Sequence, residues 1–405
     1  MAAQHTIPAS APGAIPSALF NACFALLVIN ACYFPVAYLS GMWIRELSGL
    51  GIPTDFVNVW AAGKLVLDGH PALAYDWDIQ RGIELALLGQ DFPGYFAWHY
   101  PPPFLFVASL LAMLPYSAAF IGWMAASFIP YLAVMRGIVG RPFGWMFAAA
   151  FPMVFNNTLV GQNGFLTAAL IGGTLYLLPV RPILAGVCLG FLTYKPQYGL
   201  LFPLVLIAAG YWRAFISAGV TAVVLALVSW LAFGTESWQA FFHWMPVFSQ
   251  AFLSEGKAPW WKIQSLYSLV RFCGGVEQLG WAFQWVLTAS VAAVLVLMWR
   301  SRVPYTLKAA ALAVGTLLTT PYLFIYDMMV LAISVAFLMR MGLKRGFRAY
   351  ELPALACALA LALADTFTGE PTGFAINLIV GALILRRAGP WWRRVSVPAL
   401  AVARA

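Results

Sequence analysis

Apolar runs broken by short turns carrying Pro, Gly and Arg dominate the chain, and a run of about 20 apolar residues is what a helix needs to cross a bilayer. The first lies at 17–40. Region 41–102 is different in kind, because it holds Arg45, Glu46, Asp55, Lys64, Asp68, Asp76, Asp78, Arg81, Glu84 and Asp91. Its apolar spacing predicts amphipathic helices near 55–68 and 77–89, separated by the turn Asp68-Gly69-His70-Pro71. The apolar piece from Phe104 to Leu114 follows Pro101-Pro102-Pro103 and stops at Pro115. As a helix it rises only about 16 Å, roughly half the hydrocarbon core, so 102–115 is read as re-entrant or interface-lying. Spans are then expected near 117–137, 143–159, 163–180, 182–194, 196–210, 212–234, 279–299, 305–320, 322–340, 352–366 and 372–387, which with the first makes twelve. The reading is one all-α membrane domain, 1–405, with outer loops at 41–116 and 235–278.

Charge tests that map. With twelve spans both termini share a side, and on it lie Arg136, Arg141, Arg181, Arg213, Arg300, Arg302, Lys308, Arg340, Lys344, Arg345, Arg348, Arg386, Arg387, Arg393, Arg394 and Arg404, which is 16 of the 23 basic residues. Cytoplasmic loops carry such an excess, whereas a crossing at 102–115 would scatter it. Thirteen of the 14 acidic residues fall on the outer side, Glu351 being the exception. Trp238, Trp244, Trp260 and Trp261 in the loop 235–278 suit helices lying among lipid headgroups.

Composition agrees: 62% of residues are hydrophobic and 9% charged, and the mean hydropathy is +0.83. Soluble chains carry about 25% charged residues, so this one is a polytopic membrane protein. The net charge of +9 resides in short loops between apolar runs, which argues against nucleic acid as a partner. Cys23, Cys32, Cys188 and Cys357 lie in apolar runs and Cys273 alone in a loop, with neither metal spacing nor a disulfide framework. Met1 to Pro16 has no Lys or Arg, so the first run is expected to be an uncleaved helix and not a signal peptide.

On this topology the polar groups of interest share the outer ends of helices, where scarce ionisable residues mark a site by default. Asp55 follows a Gly/Pro turn and precedes a helical segment; it is either a chemical group or that helix's N-cap. His99 and Tyr100 adjoin the proline triplet. His99 is an interface histidine or a base. Gln162 and Asn163 either hold sugar hydroxyls or cap the helix at 163. Lys195, with Pro196 and Gln197 behind it, either snorkels or holds a phosphate as a point charge. Asp327, beside Tyr326, either pairs with Lys195 or assists a proton transfer. Nucleotide, phosphate-loop and zinc signatures are missing, and no adjacent acidic pair suggests a metal or other cofactor.

The order Thr54-Asp55-Phe56 with Trp60-Ala61-Ala62, Gly69-His70-Pro71, Leu73-Ala74-Tyr75-Asp76, Tyr100-Pro101-Pro102, Gly161-Gln162-Asn163, Ala185-Gly186 and Lys195-Pro196-Gln197 resembles glycosyltransferase family 87. The resemblance spans about residues 20 to 335. That family includes polyprenyl-phosphate-mannose-dependent enzymes that elongate phosphatidylinositol mannosides in mycobacteria. The resemblance implies the GT-C fold, a lipid-linked sugar donor, a lipid or glycan acceptor, and a catalytic aspartate in the first outer loop, matched by Asp55. It also implies work at the periplasmic face of a bacterial plasma membrane among membrane lipids. Lys195 would hold the phosphate without an obligatory metal, Asp327 and His99 would be further catalytic candidates, and Gln162, Asn163, Gln197, Tyr100 and Tyr326 would contact substrate. One departure is that the mannoside-elongating branch has a histidine near the outer end of a late helix, where this chain has Tyr326-Asp327. Two rivals are a flippase of lipid-linked sugars, which needs polar residues through the midplane, and a glycan polymerase or ligase, which usually shows Arg or His pairs in outer loops.

Overall fold

A computed structural model describes residues 15–140, 143–257 and 259–392; most of the segment Met1 to Pro16, together with Arg141, Arg393, Arg394 and Arg404, lies outside them. Among the described residues all regular structure is helical, with isolated bridges but no strand. Helices that are long and apolar enough to cross a membrane number five: Ser17–Leu39, Tyr116–Val139, Trp212–Ser254, Glu277–Arg300 and Ile325–Arg345. Phe143–Ala149 and Met153–Val160, bent by 54° at the break around Pro152, make a sixth if taken as one span. Other expected spans correspond to Gly164–Leu177, Pro182–Tyr194, Pro196–Ala208 and Tyr305–Thr319, shorter than a straight crossing needs, and to Glu351–Thr368 and Gly373–Trp392.

The lobe 41–102 folds as its spacing predicts, with helices Phe56–Leu67 and Trp77–Leu88 joined by a 3-10 turn at Pro71–Tyr75. Local chemistry fixes the second helix: the Asp76 carboxylate accepts from the N–H groups of Asp78 and Ile79 at 3.1 Å, and Gly89 closes the other end in the left-handed region at φ 72°. The piece after the prolines is a 3-10 turn at Pro102–Phe104 and an eight-residue helix, Leu105–Ala112. It packs on Phe56–Leu67, and at Gly63 an added Cβ would strike the Ala108 carbonyl. Close backbone approach therefore joins this short helix to the lobe.

Two of the expected spans show further detail. The helix read as 212–234 ends at that bound, where Gly234 leaves helical backbone (φ 75°, ψ 171°), and a second helix follows directly to Ser249, so the front half of the loop 235–278 is helical. Its continuation turns aromatic residues inward: Trp244 stacks on Trp77 at 5.9 Å, and Phe248 and Phe252 meet the same indole edge-on. Trp244 thus covers the first lobe as well as any headgroup zone. The span read as 322–340 opens as a 3-10 segment, Ile325–Val330, before the α-helix Leu331–Arg345. With Tyr305–Thr319 this helix forms the almost wholly buried centre of the bundle. At the end of the bundle away from Asp327, Glu351, the acidic residue set apart by the charge pattern, makes a buried ion pair with Arg387.

Candidate active site

Helix breaks build the site, because each frees a polar side chain or backbone group from helical bonding. Asp55 stands at the N-cap position of Phe56–Leu67 with helical φ and ψ, and its side chain makes no capping hydrogen bond. The carboxylate instead turns to the turn at 161–163, where Oδ2 accepts from Gln162 Nε2 at 3.1 Å. Gly161 makes this meeting feasible. It holds φ 72°, which side chains rarely adopt, and an added Cβ would sit 2.6 Å from Phe56 Cβ and 2.7 Å from the Phe120 ring.

The Gln162 amide is itself oriented. Tyr100 donates its hydroxyl to Gln162 Oε1 at 3.3 Å and accepts from Asn163 Nδ2 at 2.8 Å, so Nε2 must face Asp55. Asn163, like Asp55, sits at an N-cap without capping; Asn157 Oδ1 accepts from the Gly164 N–H in its place at 2.8 Å. That leaves Asn163 Oδ1 buried with no partner among the described residues, an acceptor available to a bound hydroxyl.

Lys195 lies between the 3-10 turns Leu192–Tyr194 and Pro196–Tyr198. Its ammonium meets Asp327 Oδ1 at 2.6 Å, with both side chains almost wholly buried, and lies 5.2 Å from the Tyr326 ring. Asp327 therefore takes the pairing role that its position allowed, and Lys195 does not snorkel. Gln197, partly exposed on the second turn, makes no hydrogen bond among the described residues.

His99 forms an aromatic wall, stacked on Phe248 at 4.5 Å and close against Tyr100 at 4.3 Å. Its Nδ1 lies 3.1 Å from the Ala97 carbonyl, so that nitrogen carries the proton and Nε2 is an acceptor. Burial pushes the imidazole down to about 4, so His99 is neutral near pH 7 and offers no charge to an anion.

Asp55 keeps a partial opening to the surface while protein surrounds it. Burial pushes its carboxyl up; the Lys262 ammonium, the Gln162 hydrogen bond and the Lys195 ammonium pull it back. A carboxylate of raised basicity, held by one donor, is equipped to accept a proton.

Residues 98–321, more than half of the chain, match the family model of glycosyltransferase family 87. The chain belongs to glycosyltransferase family 87. No curated protein and no solved structure gives a match. Membership makes the chain a membrane glycosyltransferase, and the match contains His99, Tyr100, Gln162, Asn163, Lys195 and Gln197. Asp55, Tyr326 and Asp327 lie outside the matched residues and are tied to them by the Gln162–Asp55 bond and the Lys195–Asp327 pair.

Two residues near this glycosyltransferase site escaped the sequence reading. Tyr322 faces Phe248 and has a buried hydroxyl without a partner among the described residues. Lys262 follows Trp260 and Trp261, a context that reads as headgroup anchoring, and only the fold brings it near Asp55. The Tyr100 relay yields a first prediction. Tyr100→Phe removes one of the two bonds that hold Gln162 Oε1 away from Asp55, the other coming from the Asn163 N–H at 3.3 Å, and turnover should fall about tenfold, the worth of one hydrogen bond of about 1.4 kcal/mol. Steady-state kinetics check this; unchanged turnover would mean that Gln162 is oriented without Tyr100.

Proposed function

We propose that this enzyme transfers a hexose, mannose-like in the family's pattern, from a polyprenyl-phosphate sugar to a hydroxyl of a lipid or glycan acceptor, with inversion at the anomeric carbon. The observation that carries the reading is the Asp55 carboxylate, which occupies a capping position, declines to cap, and is instead held by a relay of Gln162, Tyr100 and Asn163. A structural carboxylate at that place would bond its own helix.

The transfer needs little covalent help from the protein. The acceptor oxygen attacks the anomeric carbon, the bond from that carbon to the phosphate oxygen breaks, and its electron pair leaves with the polyprenyl phosphate. Asp55 takes the acceptor's proton. Asn163 Oδ1, the Tyr322 hydroxyl and Gln197 are the groups free to hold sugar or acceptor hydroxyls, while His99 and Phe248 offer a flat wall for a sugar face. Asp327 neutralises Lys195 beneath the site, and Tyr326 covers that pair.

The same reading puts the site on the periplasmic face of a bacterial plasma membrane, in a GT-C architecture with about twelve crossings, the shorter helices included. Support comes from the split of basic residues between the two ends of the helices. Purified protein incubated with polyprenyl-phosphate sugars, nucleotide sugars and a total lipid extract tests the donor class. Transfer from a polyprenyl-phosphate hexose alone is expected, and transfer from a nucleotide sugar would overturn both donor and sidedness.

A further inference from the structure

The buried lysine at the centre of the site already has its anion. Lys195 is paired with Asp327 at 2.6 Å, so a phosphate arriving there would compete with a carboxylate in contact and meet a compensated charge. Lys262 stands in the opposite condition. It is partly exposed, its ammonium lies 5.5 Å from the Trp261 ring, and among the described residues that ammonium makes no ion pair or hydrogen bond. Its ammonium is one of the groups that pull the Asp55 carboxyl down against the effect of burial.

The segment carrying Lys262 is fastened on both sides. The N–H of Gln264 donates to the Leu323 carbonyl at 2.6 Å, and Ile263 bridges Phe324, just before Tyr326 and Asp327. Gln264 Oε1 accepts from the Gly373 N–H at 2.6 Å, while its Nε2 donates to the Trp261 carbonyl at 2.7 Å. Lys262 is thus a cation with no ion pair among the described residues, on a turn strapped beside the segment that carries Tyr326 and Asp327.

We infer that Lys262 is the phosphate-binding residue of this enzyme and that the group it receives is a polyprenyl phosphodiester carrying a single negative charge. This rests on the donor class proposed above. As the acceptor oxygen bonds to the anomeric carbon, the departing phosphate gains the electron pair of the broken bond and its charge grows from one toward two, while the acceptor's proton goes to Asp55. A lysine beside that oxygen interacts more strongly with the transition state than with the bound donor, so it acts on turnover as well as on affinity. A diphosphate brings its full charge before any bond breaks and meets the same lone cation.

The test uses the full chain in phosphatidylcholine nanodiscs. Labelled undecaprenyl phosphate, the departing group with the charge that the phosphodiester acquires as its bond to the sugar breaks, is the probe; undecaprenyl diphosphate, inorganic phosphate and phosphatidylglycerol are the competitors. Lys262→Gln is expected to weaken binding of the probe about 10–100-fold, the range for a hydrogen bond to a charged group, and to lower turnover. Lys262→Arg should keep most of both. Lys257→Gln, which changes a neighbouring lysine already 3.4 Å from Glu255, should change neither. Inorganic phosphate and phosphatidylglycerol should compete poorly, and the diphosphate no better than the monophosphate. Equal binding by wild type and Lys262→Gln would overturn the assignment and leave the proposed function standing. Competition by phosphatidylglycerol at equal concentration would make Lys262 a headgroup anchor and overturn it as well. Failure of the wild type to bind undecaprenyl phosphate at all would overturn the donor class itself.

Discussion

Asp327→Asn should destabilise the folded protein by about 3–5 kcal/mol, the toll of leaving one member of a buried ion pair without its partner. Lys195 and Asp327 have side chains only 3% and 2% exposed, so water cannot replace the lost carboxylate. An amide keeps the volume and one acceptor but no charge. The deficit should therefore shrink when the ammonium is removed too: Lys195→Met with Asp327→Leu swaps the pair for apolar groups, a change that is often neutral in buried settings. Denaturant unfolding in detergent micelles checks both. A wild-type midpoint for Asp327→Asn would mean that Lys195 draws its compensation from another group, Asp55 being the next carboxylate to act on it.

The lobe 41–102 was legible because its determinants are local. Asp76 caps from two and three residues away, Gly89 ends the helix in the conformation glycine favours, and the apolar stripe of Phe56–Leu67 shows at helical spacing. Short helix 105–112 was legible for the same reason, since prolines delimit it on both sides. Bends were not. The stretch 143–159 reads as one apolar run because hydropathy carries no direction, and only packing decides that the chain turns by 54° at its middle. Nor could the inward packing of Trp244 and Phe248 on Trp77 be seen, as the polar and aromatic residues after Gly234 resemble a headgroup loop.

At the site, the residue types were visible at helix ends, but their partners were not. Asp55 and Asn163 sit where capping is the local expectation, and in both cases a tertiary contact takes the side chain: Gln162 for the first, Tyr100 for the second. The Lys195–Asp327 pair was one of two readings for Asp327, and the two side chains meet at 2.6 Å. Lys262 was hidden by its tryptophan neighbours, because a lysine beside aromatic residues at a membrane surface has a sufficient ordinary explanation.

The central claim is that Asp55 accepts the acceptor's proton, and Asp55→Asn addresses it with the least disturbance. The side chain makes no capping bond to lose, and an amide can still meet Gln162 after reorientation, so the unfolding midpoint should stay close to wild type. An amide cannot take a proton, so turnover should fall by about 10²–10⁴-fold. The pH dependence separates chemistry from folding. Because burial raises the Asp55 carboxyl, wild-type turnover should decline as pH falls through a value above the ordinary aspartate range, and the residual activity of the variant should lack that limb. The decisive measurement is turnover of Asp55→Asn across pH, taken on protein whose unfolding midpoint matches wild type. The account predicts a loss of at least about a hundredfold with a flattened acid limb; full turnover with the wild-type acid limb in that folded variant would contradict it.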